Sequence, residues 1–252
     1  MTRPIRILAV DAGNTRVKWG LHEERSFAQE GWCGHAELEQ LDARWESLDA
    51  PDAVVIANVA GEAIGAYLGR CCKRWGQEPV WVQGRETQCG VTNSYDEPAQ
   101  LGPDRWAALI GAHATQSGNC IVVCMGTATT IDALTSSGVF LGGMILPGMD
   151  MMHESLATGT ARLGPEHGEL VAFPRSTKDA ITTGAIRATC SAIGHMVDEM
   201  RLAGHENAVI VATGGAASAF SSACRHSLMF SEKLVLRGLV CIGEDAVGES
   251  RP

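Results

Sequence analysis

Two carboxylates stand where the chain turns sharply: Asp11, at the end of the apolar run "IRILAV", and Asp104, behind the proline of "LGPDRW". Hard Mg²⁺ keeps most of its waters and takes one or two carboxylates beside the phosphates of a substrate. Asp11, acting through water, suits that task. Gly13 lets backbone approach a ligand with no Cβ in the way, Asn14 and Thr15 add side-chain donors, and Lys18 follows as a cation. Pro103 reads as a first helical residue, so Asp104 falls in the first turn, where the helix dipole favours a carboxylate. Aimed from there, it can serve as general base in phosphoryl transfer, whose loose transition state asks for positioning more than base strength. Arg105 beside it carries the fork that grips a substrate carboxylate with two parallel bonds. Both stretches also have plain structural accounts, since Asp and Asn serve hairpin turns and Pro-Asp is a good helix start.

A repeat weighs for the functional reading. "IVVCMGTATTIDAL" (121–134) echoes "LAVDAGNTRVKWG" (8–20): an apolar strand runs into a glycine turn with small hydroxyl or amide residues. Gly126, Thr127, Thr129 and Thr130 make the second turn hydroxyl-rich, and Cys124 stands where the first copy has Asp11. A third strand ends in "ATGGAA", where Gly214 and Gly215 would let a flat adenosine lie against backbone. Two such turns in tandem lobes suit a nucleotide gripped from both sides. Neither a G-x-x-x-x-G-K-[ST] loop nor a G-x-G-x-x-G loop occurs, and H-E-x-x-H and G-x-S-x-G are absent too. The methionines of 144–152 read as core or interface packing.

The elements that must position these residues follow a βαβ rhythm. "IRILAV" and "RVKWGLHE" read as paired strands, 36–48 as a helix, and "PDAVVIANVA" as a returning strand. "EAIGAYLGRCCKRWG" is a helix closed by Gly76, and "PVWVQ" a further strand. A polar stretch, 84–102, leads to the helix "PDRWAALIGAHATQS". Residues 141–168 read as loop with short helices, 176–203 as a long helix, and "EKLVLRGLVCIGEDA" closes the chain. The lobes are expected at 1–117 and 118–252. With 45% hydrophobic and 19% charged residues over 252, the chain is an ordinary globular protein, and a net charge of −9 argues against a nucleic-acid partner. Nine cysteines without C-x-x-C spacing, and no signal-peptide core or membrane span, predict reduced thiols in a cytoplasmic protein.

Taken in order, "VDAGNTRVKW", "NSYDEPAQLGPDRW", "MGTATTID", "GGMILPGMDMM", "GTARL", "RSTKDAITTGA" and "ATGGAA" resemble the type III pantothenate kinases, the family that includes the Bvg accessory factor proteins. The likeness runs from about residue 7 to 243. It implies an α/β protein of two ribonuclease-H-like lobes in the acetate and sugar kinase/Hsp70/actin (ASKHA) fold. It also implies a homodimer, and phosphorylation of pantothenate by ATP to 4′-phosphopantothenate, the first step of coenzyme A synthesis. By the same resemblance, Asp11, Ala12, Gly13, Asn14, Thr15, Arg16, Val17 and Lys18 form the first phosphate motif, and Gly126 and Thr127 the second. Gly102, Pro103, Asp104 and Arg105 match the substrate segment, with proline replacing the usual alanine and Asp104 the base. Tyr95 and Thr177 match substrate contacts, Thr177 across the dimer. Cys124 departs: the family has an aspartate there, associated with bound potassium or ammonium, and a neutral soft thiol is a poor substitute. Two other readings stand beside an active kinase. One is an accessory protein that binds nucleotide or pantothenate with weak or no activity; the other is a kinase for a different small hydroxylated substrate.

Overall fold

The computed structural model describes residues 4–160 and 166–249, so Ala161, Arg162 and Leu163 of "GTARL" lie outside the described residues. The chain forms two units, one from residues up to Thr115 together with those from Lys233 onward, the other from Gln116–Glu232.

In the first unit, β1 (Arg6–Ala12), β2 (Arg16–Glu23) and β3 (Ser26–Gly34) form an antiparallel meander. On the other side of β1, β4 (Ala53–Asn58) runs parallel to it and β5 (Val80–Trp81) runs parallel to β4. The order is β3-β2-β1-β4-β5. Strand β1 is covered on both faces, which is why it reads as an unbroken apolar run. On one face Leu8, Val10, Val17 and Trp19 join Leu41 and Trp45 of α1 (Leu38–Glu46) and Leu68 of α2 (Glu62–Cys72). Helix α2 passes into a short 3₁₀ turn that ends at Gly76 with φ of 69°, so that glycine stops it as expected. The tiny strands β6 (Thr87–Gln88) and β7 (Val91–Asn93) sit inside the polar stretch before α3 (Pro103–Thr115).

The second unit repeats the plan. Strands β8 (Cys120–Met125), β9 (Ala128–Leu134) and β10 (Val139–Pro147) form an antiparallel meander; β11 (Val209–Thr213) lies parallel to β8, and β12 (Leu228–Phe230) parallel to β11. The repeat seen in sequence is thus a repeat of topology. Helices α4 (Met149–Gly159), α5 (Thr177–Leu202) and α6 (Ala217–Phe220) complete the unit. Met144 and Met149 pack against its core, while Met151 is exposed.

Four expectations need correcting. Residues 139–147 form a strand, hidden in the sequence by Gly142 and Gly143 at a register shift. Thr129 and Thr130 belong to β9 and are buried, so the second turn is narrower than its hydroxyl count suggested. Cys190 of α5 and Cys224 form a disulfide, their Cα atoms 5.1 Å apart, where reduced thiols were expected; the fold brings together residues 34 apart in sequence. Finally, α7 (Leu234–Glu249) groups with the first unit, not with the second lobe.

The reason for that last placement is backbone contact. A Cβ on Gly238 would lie 1.8 Å from the Ala107 carbonyl oxygen, and one on Gly111 would lie 2.2 Å from that of Leu234. Helices α3 and α7 therefore cross with main chains touching. Further along, a Cβ on Gly243 would come within 2.8 Å of Ile7, which seats α7 on β1. Alanine for glycine within an exposed helix gains up to about 1 kcal/mol of propensity, whereas overpacking costs about 1–3 kcal/mol. We expect Gly238→Ala to lower the free energy of urea unfolding by about 2 kcal/mol; an unchanged or raised urea midpoint would show that the crossing tolerates separation.

Candidate active site

Asp11 is the penultimate residue of β1 and its register partner on β2 is Lys18, so the two side chains share a face of the sheet. Between them the turn is closed by Gly13 N–H donating to the Arg16 carbonyl at 3.0 Å. Asn14, Thr15 and Arg16 at the tip are exposed, as is Lys18, whereas Ala12 and Val17 anchor the turn in the core. The tip thus offers backbone and side-chain donors while its flanks are immobilised by packing.

Asp104 reaches the same place from α3. Burial pushes the Asp11 carboxyl up to about 6; Lys18 opposes the shift, and the like charge of Asp104 adds to it. Asp104 Oδ1 accepts the Arg105 N–H at 2.9 Å. Gly102 leaves room for that carboxylate, because a Cβ there would lie 2.8 Å from Oδ1. Pro103 occupies the first position of α3, where its missing N–H costs nothing. The Arg105 side chain is buried, donates from Nη1 to the Tyr95 hydroxyl at 3.0 Å, and lies 5.7 Å from the centroid of the Tyr95 ring. Asn93, buried at the end of β7, accepts the Tyr95 N–H at 3.1 Å and donates to the Pro98 carbonyl at 3.1 Å. Asn93 appears within a motif in sequence, but nothing there signals its bridging task. Asp11, Lys18, Tyr95, Gly102, Asp104 and Arg105 all belong to one unit.

The other predicted residues lie in the second unit. Gly126 N–H donates to the Ala128 carbonyl at 3.0 Å, closing a turn tighter than that of the first copy. Two glycines hold it by close approach. Gly148 N–H donates to the Thr127 carbonyl at 2.9 Å, and a Cβ on Gly148 would lie 2.3 Å from the Gly126 oxygen. Gly214, at φ of 103°, packs on Met125, where a Cβ would lie 2.2 Å from the carbonyl oxygen. Gly215 follows with open space at its Cβ position. Thr177 is the exposed first residue of α5, apart from this turn in sequence and element.

Among the described residues no three His, Cys, Asp or Glu side chains converge on a metal position. Asp11 nevertheless fits a hydrated divalent ion. Its carboxylate is penalised by burial and by a second carboxylate, and a cation beside it relieves both. Cys124 does not fit a hard monovalent ion. It lies at the end of β8, in register with Thr130 of β9 and Thr213 of β11, and a thiol adds neither charge nor a hard ligand.

The duplicated sheet order, with a glycine turn after the leading strand of each unit, is the ASKHA architecture of kinases and related phosphoryl-binding proteins. Solved structures agree on the fold. A Baf family transcriptional activator from Campylobacter jejuni superposes with a TM-score of 0.63 at 21% identity, covering 96% of this chain and 99% of that one. MreB5 of Spiroplasma citri bound to ADP gives 0.54 at 12% identity, covering 99% and 98%. The chain belongs to the type III pantothenate kinase family, whose model matches residues 7–199. It is 41% identical to the type III pantothenate kinase of Nitrosospira multiformis over 240 residues, 95% of this chain and 91% of that one. Identity to the type III pantothenate kinase of Azoarcus sp. is 42% over 248 residues, covering 98% and 94%.

Two outcomes follow from these charges. A raised Asp11 pKa means that the native state binds this proton more tightly than the unfolded chain does. The associated stability is present below about pH 4 and lost as pH rises through about 6. In EDTA at pH 7.5, Asp11→Asn should therefore stabilise the protein by on the order of 2 kcal/mol, allowing for partial exposure, with the gain vanishing near pH 4. Equal unfolding midpoints at both pH values would refute this. For Cys124, activity against KCl at constant ionic strength should respond weakly in the wild type and show saturable activation in Cys124→Asp; strong saturable activation of the wild type would contradict the misfit.

Proposed function

We propose that the protein transfers the γ-phosphoryl group of ATP to the 4′-hydroxyl of pantothenate, opening coenzyme A synthesis in the cytoplasm. The observation that carries this reading is the meeting, within one unit, of Asp11, Lys18 and Asp104 beside a buried arginine. In the transfer, the acceptor oxygen bonds to the γ-phosphorus as the bond to the bridging oxygen of the leaving diphosphate breaks. The hydroxyl proton passes to the Asp104 carboxylate.

Lys18 and the donors at the hairpin tip, Asn14 and Thr15, hold the phosphates; in the second unit Gly126 and Thr127 serve as a phosphate turn, and Gly214 and Gly215 offer backbone to adenosine. A divalent cation held through water by Asp11 would neutralise charge on the phosphates. Arg105, kept in place by Tyr95, clamps the pantothenate carboxylate; Arg fits this role because its fork makes two parallel bonds. Thr177 supplies a further substrate contact from the other subunit of a homodimer. Support for that assembly is the exposed apolar set Leu141, Ile145, Met151, Leu156 and Phe173, the last 88% exposed.

The test is coupled detection of ADP release with ATP and Mg²⁺, with and without pantothenate. We expect release that depends on pantothenate, and a 10²–10⁴-fold lower kcat in Asp104→Asn with KM values little changed. ADP release independent of pantothenate would replace this acceptor, and near-wild-type turnover of Asp104→Asn would return Asp104 to a helix-start role.

A further inference from the structure

The hairpin tip that carries Asp11 and Lys18 is short and exposed, yet two side chains from the end of β3 hold it. The His35 ring, just past β3, has its Nε2 at 2.9 Å from the Gly13 carbonyl oxygen. A carbonyl only accepts, so Nε2 carries the proton and donates. His35 is itself fixed: it opens a 3₁₀ turn, His35–Glu37, whose Glu37 carboxylate accepts the Gly34 N–H at 3.2 Å. The second contact is a stack. The Arg16 guanidinium carbon lies 4.5 Å from the centroid of the Trp32 ring, which stays 55% exposed. In strand register Trp32 pairs with Lys18, and Arg16 pairs with Gly34. Lys18 in turn pairs with Asp11, so Asp11, Lys18 and Trp32 form one row across three strands on one face, with Arg16 over its end.

Both contacts act on groups that a polyphosphate would meet. Tying down the Gly13 carbonyl keeps that oxygen from turning toward an anion, which leaves N–H groups as the face of the turn. An exposed arginine ordinarily samples many rotamers and loses that freedom on binding. Stacking on an indole removes part of the cost in advance and leaves the guanidinium edges free for phosphate oxygens. A tryptophan kept half in solvent beside a phosphate turn, with a cation on its face, has little to gain from core packing.

We infer that Trp32 and His35 are positioning residues for the nucleotide's phosphates, Trp32 acting through Arg16 and His35 through the Gly13 peptide. The inference rests on the first hairpin being the phosphate site proposed above.

The test measures ADP affinity by calorimetry and the KM values for ATP and pantothenate in the full-length protein. His35→Ala should weaken ADP and raise the ATP KM about 5–10-fold, with the pantothenate KM and kcat within twofold, and His35→Gln, whose amide donates, should recover most of the loss. Trp32→Ala should weaken ADP about threefold to fivefold and Trp32→Phe much less. In an Arg16→Ala background, Trp32→Ala should add no further loss, because its partner is gone. Unchanged ADP affinity in His35→Ala, or additive losses from Trp32→Ala and Arg16→Ala, would overturn the inference while leaving the kinase reading intact. Parallel losses for ATP and pantothenate would mark a general structural defect and would also overturn it. Failure of the wild type to bind ADP at all would instead remove the phosphate-site reading, and this inference with it.

Discussion

Because Gly111 and Gly238 carry no side chains, α3 and α7 cross with main chains in contact, and that crossing governs where the first turn of α3 falls relative to the end of β1. Apolar burial alone is non-directional and would let two helices slide. Backbone contact at a glycine pair tolerates little sliding, since the next residue along either helix brings a Cβ into the gap. Gly243 extends the constraint by seating α7 on Ile7 and Val55, so the chain of contact runs from sheet to terminal helix to substrate helix. Asp104 owes its place near Asp11 to this sequence of close approaches.

The consequence is an electrostatic conflict that the fold tolerates. Two carboxylates share one neighbourhood with a single close lysine, and burial weighs against charge on Asp11. Apolar packing of Ala12 and Val17 holds the turn despite this. Perturbed groups of this kind are concentrated where proteins do chemistry, and a cationic ligand turns the same conflict into affinity. The second unit has the same strand-and-turn geometry with a thiol at the matching strand end. Its turn is held by Gly148 and Gly214, so backbone, not charge, defines it.

Much of this fold was legible because its central strands are covered on both faces. The runs that became β1, β4, β8 and β11 are continuous and apolar, and the hairpin residues after β1 announce a turn. Strand β3 was not legible: "SFAQEGWCG" lies at the sheet edge, mostly exposed, and buries only Cys33 fully, so it has no apolar alternation to read. Strand β10 was masked by paired glycines, and the allegiance of α7 could not be read because local periodicity does not say which face it covers. In the candidate site, residue types such as Asp104-Arg105 were visible along the chain. Their company was not. The Tyr95–Arg105 hydrogen bond, the Asn93 bridge and the His35 tether join residues from separate elements, and only folding makes them neighbours.

The membership of α7 also bears on the order in which the chain can fold. The first unit is discontinuous: its last helix is separated from the rest by the entire second unit. During synthesis, residues 116–232 emerge whole before α7 does, so the inserted unit can close its own sheet while Ile7 and the glycine face of α3 still lack their cover. Joining α7 to β1 then closes a loop that runs from Ala12 to Leu234. That closure costs only slowly more entropy as loops lengthen, and it costs less once the intervening segment is compact. Nascent chains stopped short of Leu234 would leave Ile7 and the glycine face of α3 without their cover, and apolar surface exposed in this way during synthesis favours contact with other chains.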